Sequence, residues 1–241
     1  MPASLDLSAD WHSPPQTTER PGEGVPAAQR VLAELRDMII RGDLAPGSRI
    51  VERTLCARLH VSRTPMREAL KLLEIDGLIE ISQNRGARVL EFTPGEALEL
   101  FEVLSSLEGV AAELATQRMT ESMASYIGTL HEAMRTHYTA RDRDAYFDCN
   151  SLIHEAIVEA AGNRTLLATW HSLMRRAQRG RYMAIVSATR WHQAMDEHEA
   201  LMAALHARDA AEAGRVWRLH LMHTGETIAG VMTDAAPAGR D

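Results

Sequence analysis

Lysine is almost absent from this sequence of 241 residues: Lys71 is the only lysine among 26 basic side chains, so arginine carries nearly all of the positive charge. Cysteine is also scarce, and Cys56 and Cys149 are too far apart to suggest the disulfide framework of a small secreted protein. No apolar run reaches the roughly 18 residues of a membrane-spanning helix, and the first residues lack the pattern of a secretory signal. These absences predict a soluble cytoplasmic protein with no membrane partner.

The motifs of common enzyme classes are missing as well. The sequence has no glycine-rich phosphate-binding loop and no G-x-S-x-G segment of a serine hydrolase. His154-Glu155 begins like a zinc-protease motif, but Val158 stands where the second histidine is required, and a second His-Glu pair fails in the same way at Met202. The sequence therefore predicts that the chain is not an enzyme. A metal-dependent enzyme with an accessory DNA-binding module is the weaker alternative.

Basic residues are concentrated in one short segment. The whole chain has a formal net charge of −7 at pH 7, which by itself argues against a nucleic-acid partner. Residues 49–71, however, contain only two acidic side chains and the basic residues Arg49, Arg53, Arg58, Arg63, Arg67 and Lys71. A basic segment on an acidic protein indicates a binding site for a polyanion. A solvated helix face is the alternative that charge alone leaves open.

Helix and turn signals around this segment predict a winged helix-turn-helix. Three short helices are predicted, over residues 27–41, 52–59 and 63–76. Ser62 is predicted to cap the third helix, and Pro65 lies in its first turn. Two β-prone runs around "QNRG" then predict a hairpin. We assign residues 25–92 to this DNA-binding domain and residues 1–24, which have no periodicity, to a flexible tail.

Only helical patterns follow the hairpin. Thr93 and Glu96 have the spacing of a capping box, and they open a helix that we expect to link the two halves of the chain mechanically. The predicted helices cover residues 95–118, 121–139, 142–161, 164–183, 189–206 and 210–230. The predicted fold class is therefore mainly α: the winged helix-turn-helix is followed by an all-α antiparallel helical bundle. This bundle, residues 93–232, is predicted to bind an effector and to dimerise, and residues 233–241 are predicted to be a flexible tail.

The first turn of the third helix carries the candidate DNA-reading residues. In a helix-turn-helix this turn lies closest to the base edges of the major groove. It contains Ser62, Arg63, Thr64 and Arg67 here, and the two arginines share a face because they are four residues apart. Arginine can hold a guanine base or a phosphate with two parallel hydrogen bonds.

Two further elements are predicted to contact DNA. Arg53, early in the second helix, can reach the DNA backbone, and Arg85 and Gly86 form a hairpin tip that suits a minor groove. Double-stranded DNA is therefore the predicted partner. Because the symmetry of a dimer is mirrored in its operator, we expect a homodimer bound to a short inverted repeat.

The segment "VERTLCARLHVSRTPMREALKLLEIDGLIEISQNRGARV" resembles the DNA-binding module of GntR-family transcriptional regulators, and "VSRTPMREAL" is close to the recognition-helix signature of that family. The downstream helical region resembles the ligand-binding domain of the FadR subfamily. The resemblance implies a transcriptional regulator, a repressor or an activator, whose operator affinity is controlled by a small metabolite. It also implies that DNA is contacted by Arg53, Arg63, Thr64 and Arg67, with Gly86 at the wing.

Polar side chains interrupt the apolar faces of three predicted helices. Asn150 and His154 share the buried face of one helix, and His198 and His220 occupy equivalent positions in two others. Convergent histidines with an oxygen donor suit a divalent metal ion such as zinc, nickel or manganese. Buried histidines that only form hydrogen bonds are the alternative, and the residues alone leave it open.

The FadR-like resemblance implies the same metal site. Many members of that subfamily bind a metal through an Asp/Asn-x3-His element and two later histidines, and the matching positions here are Asn150, His154, His198 and His220. Asn150 replaces the more frequent aspartate, and His223 is the nearest rival ligand.

The same resemblance bears on the effector, which we expect to be an organic acid. Leu104 occupies a position where many relatives have an arginine that holds a carboxylate. Arg176, Arg181 or Arg190 is predicted to take that role in this chain. A dimeric DNA-binding protein that responds to no ligand is the alternative.

Overall fold

A computed structural model describes residues 25–82 and 86–235, and its elements follow the predicted order. The helices are α1 (Ala27–Arg41), α2 (Glu52–Arg58), α3 (Arg63–Ile75), α4 (Pro94–Arg118), α5 (Glu121–Ala140), α6 (Arg143–Ala160), α7 (Arg164–Ala184), α8 (Ala188–His206) and α9 (Ala210–Ala235). The strands are β1 (Arg49–Ile50), β2 (Ile79–Ser82) and β3 (Gly86–Val89). The predicted tail 1–24, Arg85 and residues 236–241 of the predicted tail 233–241 lie outside the described residues. Residues 233–235 of that predicted tail instead form the end of α9. Within the described ranges, every helix is too short or too polar to cross a membrane.

The N-terminal unit is a winged helix-turn-helix. Leu35 of α1 and Met66 and Leu73 of α3 are fully buried where the two helices pack together. The three strands form an antiparallel sheet in the order β1-β3-β2. Gly86 begins β3 with φ +74°, a left-handed conformation that glycine adopts without strain. The predicted hairpin is confirmed, and the two-residue strand β1 is an addition to it.

The prediction that the side chain of Ser62 caps α3 is wrong. Ser62 occupies the N-cap position, but its side chain accepts no hydrogen bond from the described part of the helix. The usual donors to such a cap are the second and third backbone N–H groups of the helix. The third position here is Pro65, which has no N–H to donate.

The C-terminal unit is an all-helical domain built around the long helices α4 and α9. The predicted capping box is confirmed: Thr93 Oγ1 accepts a hydrogen bond from the Glu96 backbone N–H at 3.1 Å, and the Glu96 carboxylate accepts one from the Thr93 N–H at 2.8 Å. The two helices pack so closely that a Cβ atom at Gly225 would lie 2.6 Å from Cβ of Phe101.

Helix α7 joins the two units. Arg175 Nε lies 2.7 Å from Oδ1 of Asp76, the buried C-cap residue of the recognition helix α3. Arg179 donates a hydrogen bond to the backbone carbonyl of Ile39 in α1. Arg41 of α1 pairs with Asp148 of α6 at 2.9 Å. The DNA-binding domain is therefore attached to α6 and α7 by charged contacts, whereas the sequence suggested α4 as the link.

Gly225→Ala tests the close packing of α4 and α9. Because the new methyl group would meet the Cβ atom of Phe101, which cannot rotate away, we expect the free energy of unfolding to fall by about 1–3 kcal/mol. The control is Gly128→Ala in α5, where the described structure places nothing within 4 Å of the new atom. Chemical denaturation should show little loss for the control, or a small gain from its better helix propensity. Equal losses for both variants would contradict the close contact.

Candidate functional site

Three histidines from three helices meet inside the C-terminal domain. His154 of α6, His198 of α8 and His220 of α9 each offer one ligand atom, and these atoms lie within 4.8 Å of one another. All three side chains are buried, with exposed fractions of 0%, 0% and 3%. His154 Nε2 and both ring nitrogens of His198 are buried and have no hydrogen-bond partner among the described residues. Unpaired buried nitrogens are costly, so this donor set fits a metal ion.

Asn150 lies one helical turn before His154 and is 4% exposed. Its Oδ1 atom is also buried without a hydrogen-bond partner in the part of the chain that the structure describes. This free oxygen on the same buried face as His154 fits its predicted role as the fourth ligand. The amide brings no negative charge to a bound cation.

The histidines are in the form that binds metal. Burial, together with neighbouring positive charges, holds the pKa values of His154 and His198 well below their usual range. Burial lowers the pKa of His220 to about 4, against the opposing effect of its hydrogen bond to Glu197. Neutral imidazoles keep a lone pair for coordination at neutral pH.

A wholly buried carboxylate orients the first of these histidines. Glu108 of α4 places Oε2 2.5 Å from Nδ1 of His154 and accepts a hydrogen bond from Trp170 Nε1 at 2.8 Å. When Glu108 is ionised it holds the proton of His154 on Nδ1, and Nε2 then faces the other histidines as an electron-pair donor. Burial raises the pKa of Glu108 to about 7, although the charge of Arg181 acts to lower it.

A second carboxylate holds His220. Glu197 Oε2 lies 2.7 Å from Nδ1 of His220, and its other oxygen lies 2.6 Å from Nδ1 of His223. Burial acts to raise the pKa of Glu197, but the hydrogen bond from His220 and the charge of Arg190 outweigh it and lower the pKa to about 2. His223 is thus bound to the orienting carboxylate, and its ring nitrogen is not one of the three that converge.

Neither orienting carboxylate was predicted from the sequence. Glu108 carries the same signal that revealed the histidines, because it lies on the buried face of α4 with Leu104 and Ala112. Glu197 directly precedes His198 and lies on a neighbouring face of α8. The helical repeat of apolar residues therefore does not indicate that Glu197 is close to the histidines.

Two of the three predicted effector arginines lie at the histidine centre. Arg181 and Arg190 are each 3% exposed, and both contribute to the electrostatic field at His154. Arg190 pairs with Glu197 at 2.9 Å and donates a hydrogen bond to Thr224 Oγ1 at 2.9 Å.

Arg181 and Arg176 have different surroundings. Among the described residues, Arg181 donates only to the sulfur of Met174 at 3.4 Å, and its Nη2 has no hydrogen-bond partner there. Burial lowers the pKa of Arg181 to about 10. Arg176 contacts the domain junction: its guanidinium lies 5.2 Å from the ring centre of Phe92.

The predicted DNA-reading residues form an exposed surface on the N-terminal unit. Ser62, Arg63, Thr64 and Arg67 are exposed at the start of α3, and Arg53 is exposed on α2. Arg67 forms a solvent-exposed ion pair with Glu52 at 3.1 Å, which contributes little to stability and is easily exchanged for a phosphate. Gly86 is exposed at the start of β3, beside the undescribed tip of the hairpin.

A winged helix-turn-helix with an exposed arginine-bearing recognition helix, joined to a helical domain with a buried polar centre, defines a ligand-responsive DNA-binding regulator. Residues 27–89 match the family model described as bacterial regulatory proteins, gntR family, and residues 99–223 match the FCD domain. The chain belongs to the GntR family and carries an FCD domain. It is a DNA-binding transcriptional regulator and not an enzyme.

Similar proteins and solved structures agree with this family. The chain is 31% identical over 147 residues to a probable D-xylose utilization operon transcriptional repressor of Paenarthrobacter nicotinovorans, an alignment that covers 59% of this chain and 65% of that protein. It is 25% identical over 203 residues to the transcriptional repressor RspR of Escherichia coli K12, covering 84% of this chain and 89% of RspR.

Among solved structures, E. coli McbR/YncC superposes with a TM-score of 0.75 at 22% identity, covering 87% of this chain and 99% of the other. A putative GntR regulator from Rhodococcus sp. RHA1 superposes with a TM-score of 0.70 at 24% identity, covering 84% and 97%. These likenesses establish the fold.

Arg181→Met and Arg190→Met test whether Arg181 is held ready for a ligand. Arg181 forms no ion pair within the described residues, and Glu108, whose pKa burial raises to about 7, can take up a proton when the neighbouring charge is removed. An apolar replacement should therefore change the free energy of unfolding of ligand-free protein by no more than about 1 kcal/mol. Arg190→Met is the control of equal burial. It removes the partner of Glu197 and should cost roughly 3 kcal/mol. Thermal or denaturant unfolding measures both, and a large loss in both variants would make Arg181 a structural counter-ion of Glu108.

Proposed function

We propose that the chain is a homodimeric regulator whose operator affinity changes when a small organic anion binds beside a divalent metal ion. The metal would be held by Asn150, His154, His198 and His220. One observation carries this proposal: three neutral imidazoles, two with unpaired ring nitrogens, converge within 4.8 Å in a chain that also carries a DNA-reading domain. The donor set suits zinc, nickel or manganese.

The residues around the centre support an anionic effector. Position 104 is a fully buried leucine. Helix α4 therefore supplies no arginine at the position that resembles the carboxylate-binding arginine of the FadR subfamily. Arg181 supplies a buried guanidinium that lacks a carboxylate partner in the described structure, and Arg190 adds a second buried cation. A bound metal offers an open coordination position to the same anion. Arg176, at the domain junction, is the third candidate.

Recognition of DNA is assigned to Arg63 and Arg67 on the major-groove face of α3, assisted by Ser62 and Thr64. Arg53 would contact the backbone, and Arg85 with Gly86 would form the wing contact. The exposure of the described members of this set supports the assignment. Because the operator DNA of a bacterial regulator lies in the cytoplasm, a cytoplasmic location goes with this proposal.

Homodimerisation on an inverted repeat completes the proposal. Val103 and Val110 are 50% and 41% exposed and lie seven residues apart, hence on one face of α4. Burial of this apolar face against a second copy would place two DNA-reading domains under two-fold symmetry. The effector would then change operator affinity by a coupling free energy of about 1–3 kcal/mol.

Arg63→Ala tests the assignment of the recognition helix. Loss of a paired hydrogen bond to a base should remove about 1–3 kcal/mol of discrimination between operator and random DNA. Arg164→Ala, on the exposed first turn of α7, removes the same charge outside the DNA-reading surface. Both variants are compared in binding titrations at one fixed salt concentration, since phosphate contacts respond to salt. Unchanged specificity in Arg63→Ala would refute the assignment.

His198→Ala tests the metal centre. We expect near-stoichiometric metal in the wild-type protein and almost none in this variant, because it removes one of three converging imidazoles. His192→Ala is the control, since His192 lies on the same helix and its side chain is 69% exposed. Metal content per subunit is measured on tag-free protein purified without chelators, and operator binding is measured beside it. Metal retained in His198→Ala, or absent from wild-type protein, would refute the site.

A further inference from the structure

A cleft of about 370 Å³ lies between the DNA-binding domain and the helical domain. Asp37 and Ile40 of α1 form one wall, and residues of α6 and α7 form the others. This volume lies within the range of small-molecule sites in proteins. Any molecule in the cleft would contact both domains at once.

The bottom of the cleft presents hydrogen-bond donors without acceptors. Arg181 lines it, although only 3% of this residue is exposed, and its Nη2 has no hydrogen-bond partner among the described residues. Ser151 lines it as well, and its buried Oγ has no partner within those residues either. A buried guanidinium beside a free hydroxyl is suited to an acidic group of a ligand.

The acidic residues of the cleft are only partly compensated by neighbouring cations. Asp37 and Asp148 both pair with Arg41, at 2.7 and 2.9 Å, but Arg41 also pairs with Asp144 at 2.6 Å, so one guanidinium serves three carboxylates. Glu155 lies 3.4 Å from Nε2 of His171. These carboxylates therefore still oppose an anion, and the charges that favour one are those of Arg175 and Arg181, which also line the cleft.

A second arginine stands at the junction end of the cleft. Arg175 lines the cleft and lies six residues before Arg181, or about 9 Å along α7. Its Nε is 2.7 Å from Asp76 at the end of the recognition helix. That contact lacks hydrogen-bond alignment, and Nε has no other partner in the described structure. A carboxylate in the cleft could therefore replace Asp76 on Arg175.

We propose that the cleft binds an organic anion with two acidic groups, one held by Arg181 and Ser151 and the other by Arg175, and that its binding releases Asp76. This inference rests on the proposed function and names the regulation of that site. Release of Asp76 frees the C-terminal end of α3 from α7, so the ligand lowers operator affinity. The effector thus acts at the domain junction through α7, and the same helix contributes Arg181 to the histidine centre.

The test measures binding of unbranched dicarboxylates from succinate to pimelate, with the matching monocarboxylates as controls, by calorimetry on the full metal-loaded protein. Arg175→Gln and Asp76→Asn both break the ion pair, but only the first removes the cation. Arg175→Gln should weaken binding of the best dicarboxylate by about tenfold or more, whereas Asp76→Asn should strengthen it because a competitor is removed. Arg164→Gln should bind as the wild type does.

Several results would overturn the proposal that the cleft binds a dicarboxylate. These are absence of dicarboxylate binding, equal binding of monocarboxylates, or Arg175→Gln and Asp76→Asn shifting affinity in the same direction. If Arg175→Gln does not fold, Arg175→Met replaces it with the same expected weakening, because it also removes the cation. The proposed function is tested separately, by measuring operator binding and metal content of the protein without added carboxylate. Binding that is lost in His198→Ala but intact in Arg175→Gln would place the ligand at the histidines alone, which also overturns the cleft.

Discussion

The buried carboxylate of Glu108 is the interaction on which the helical domain depends. Glu108 belongs to α4, and its carboxylate forms hydrogen bonds with His154 of α6 and Trp170 of α7. The side chain therefore joins three helices. Its charge also acts through space on Arg181, which forms no ion pair among the described residues. A carboxylate with no exposed surface is tolerated only where charge and hydrogen bonds compensate its desolvation. The histidine centre and the arginine that faces the cleft are therefore parts of one electrostatic unit.

Helix α7 has contacts in both functional regions of the molecule. Trp170 and Arg181 belong to the centre, whereas Arg175 and Arg179 hold α3 and α1. A helix of 21 residues transmits a displacement along its length because its backbone hydrogen bonds make it stiff. Coupling between effector and DNA then needs no unfolding, only two arrangements of the ion pairs at its surface.

Local periodicity was sufficient to predict the helices and the buried histidines. Residues such as His154 and His198 repeat at helical spacing within apolar stripes, so their burial could be inferred before any fold was known. The predicted ends of α1 and α3 differ from the structure by at most one residue. These features are set by interactions within a few residues of the chain.

Contacts between distant segments could not be predicted in this way. Asp76 and Arg175 are 99 residues apart, and nothing in the local pattern of either points to the other. The two-residue strand β1 exists because β3 pairs with it, and the missing cap at Ser62 follows from the proline that was itself a helix-start signal. The cleft depends on the relative placement of α1, α6 and α7, which only the tertiary structure defines.

The aromatic side chains around the centre give the protein an intrinsic optical probe. Of its four tryptophans, Trp217 stacks on His220 with ring centres 4.7 Å apart, and Trp170 donates to Glu108. Trp191 meets the ring of Tyr146 edge-on at 5.4 Å. A change of charge or coordination at the histidines therefore alters the surroundings of indole rings directly. The emission of the unlabelled protein can follow the state of this site in real time.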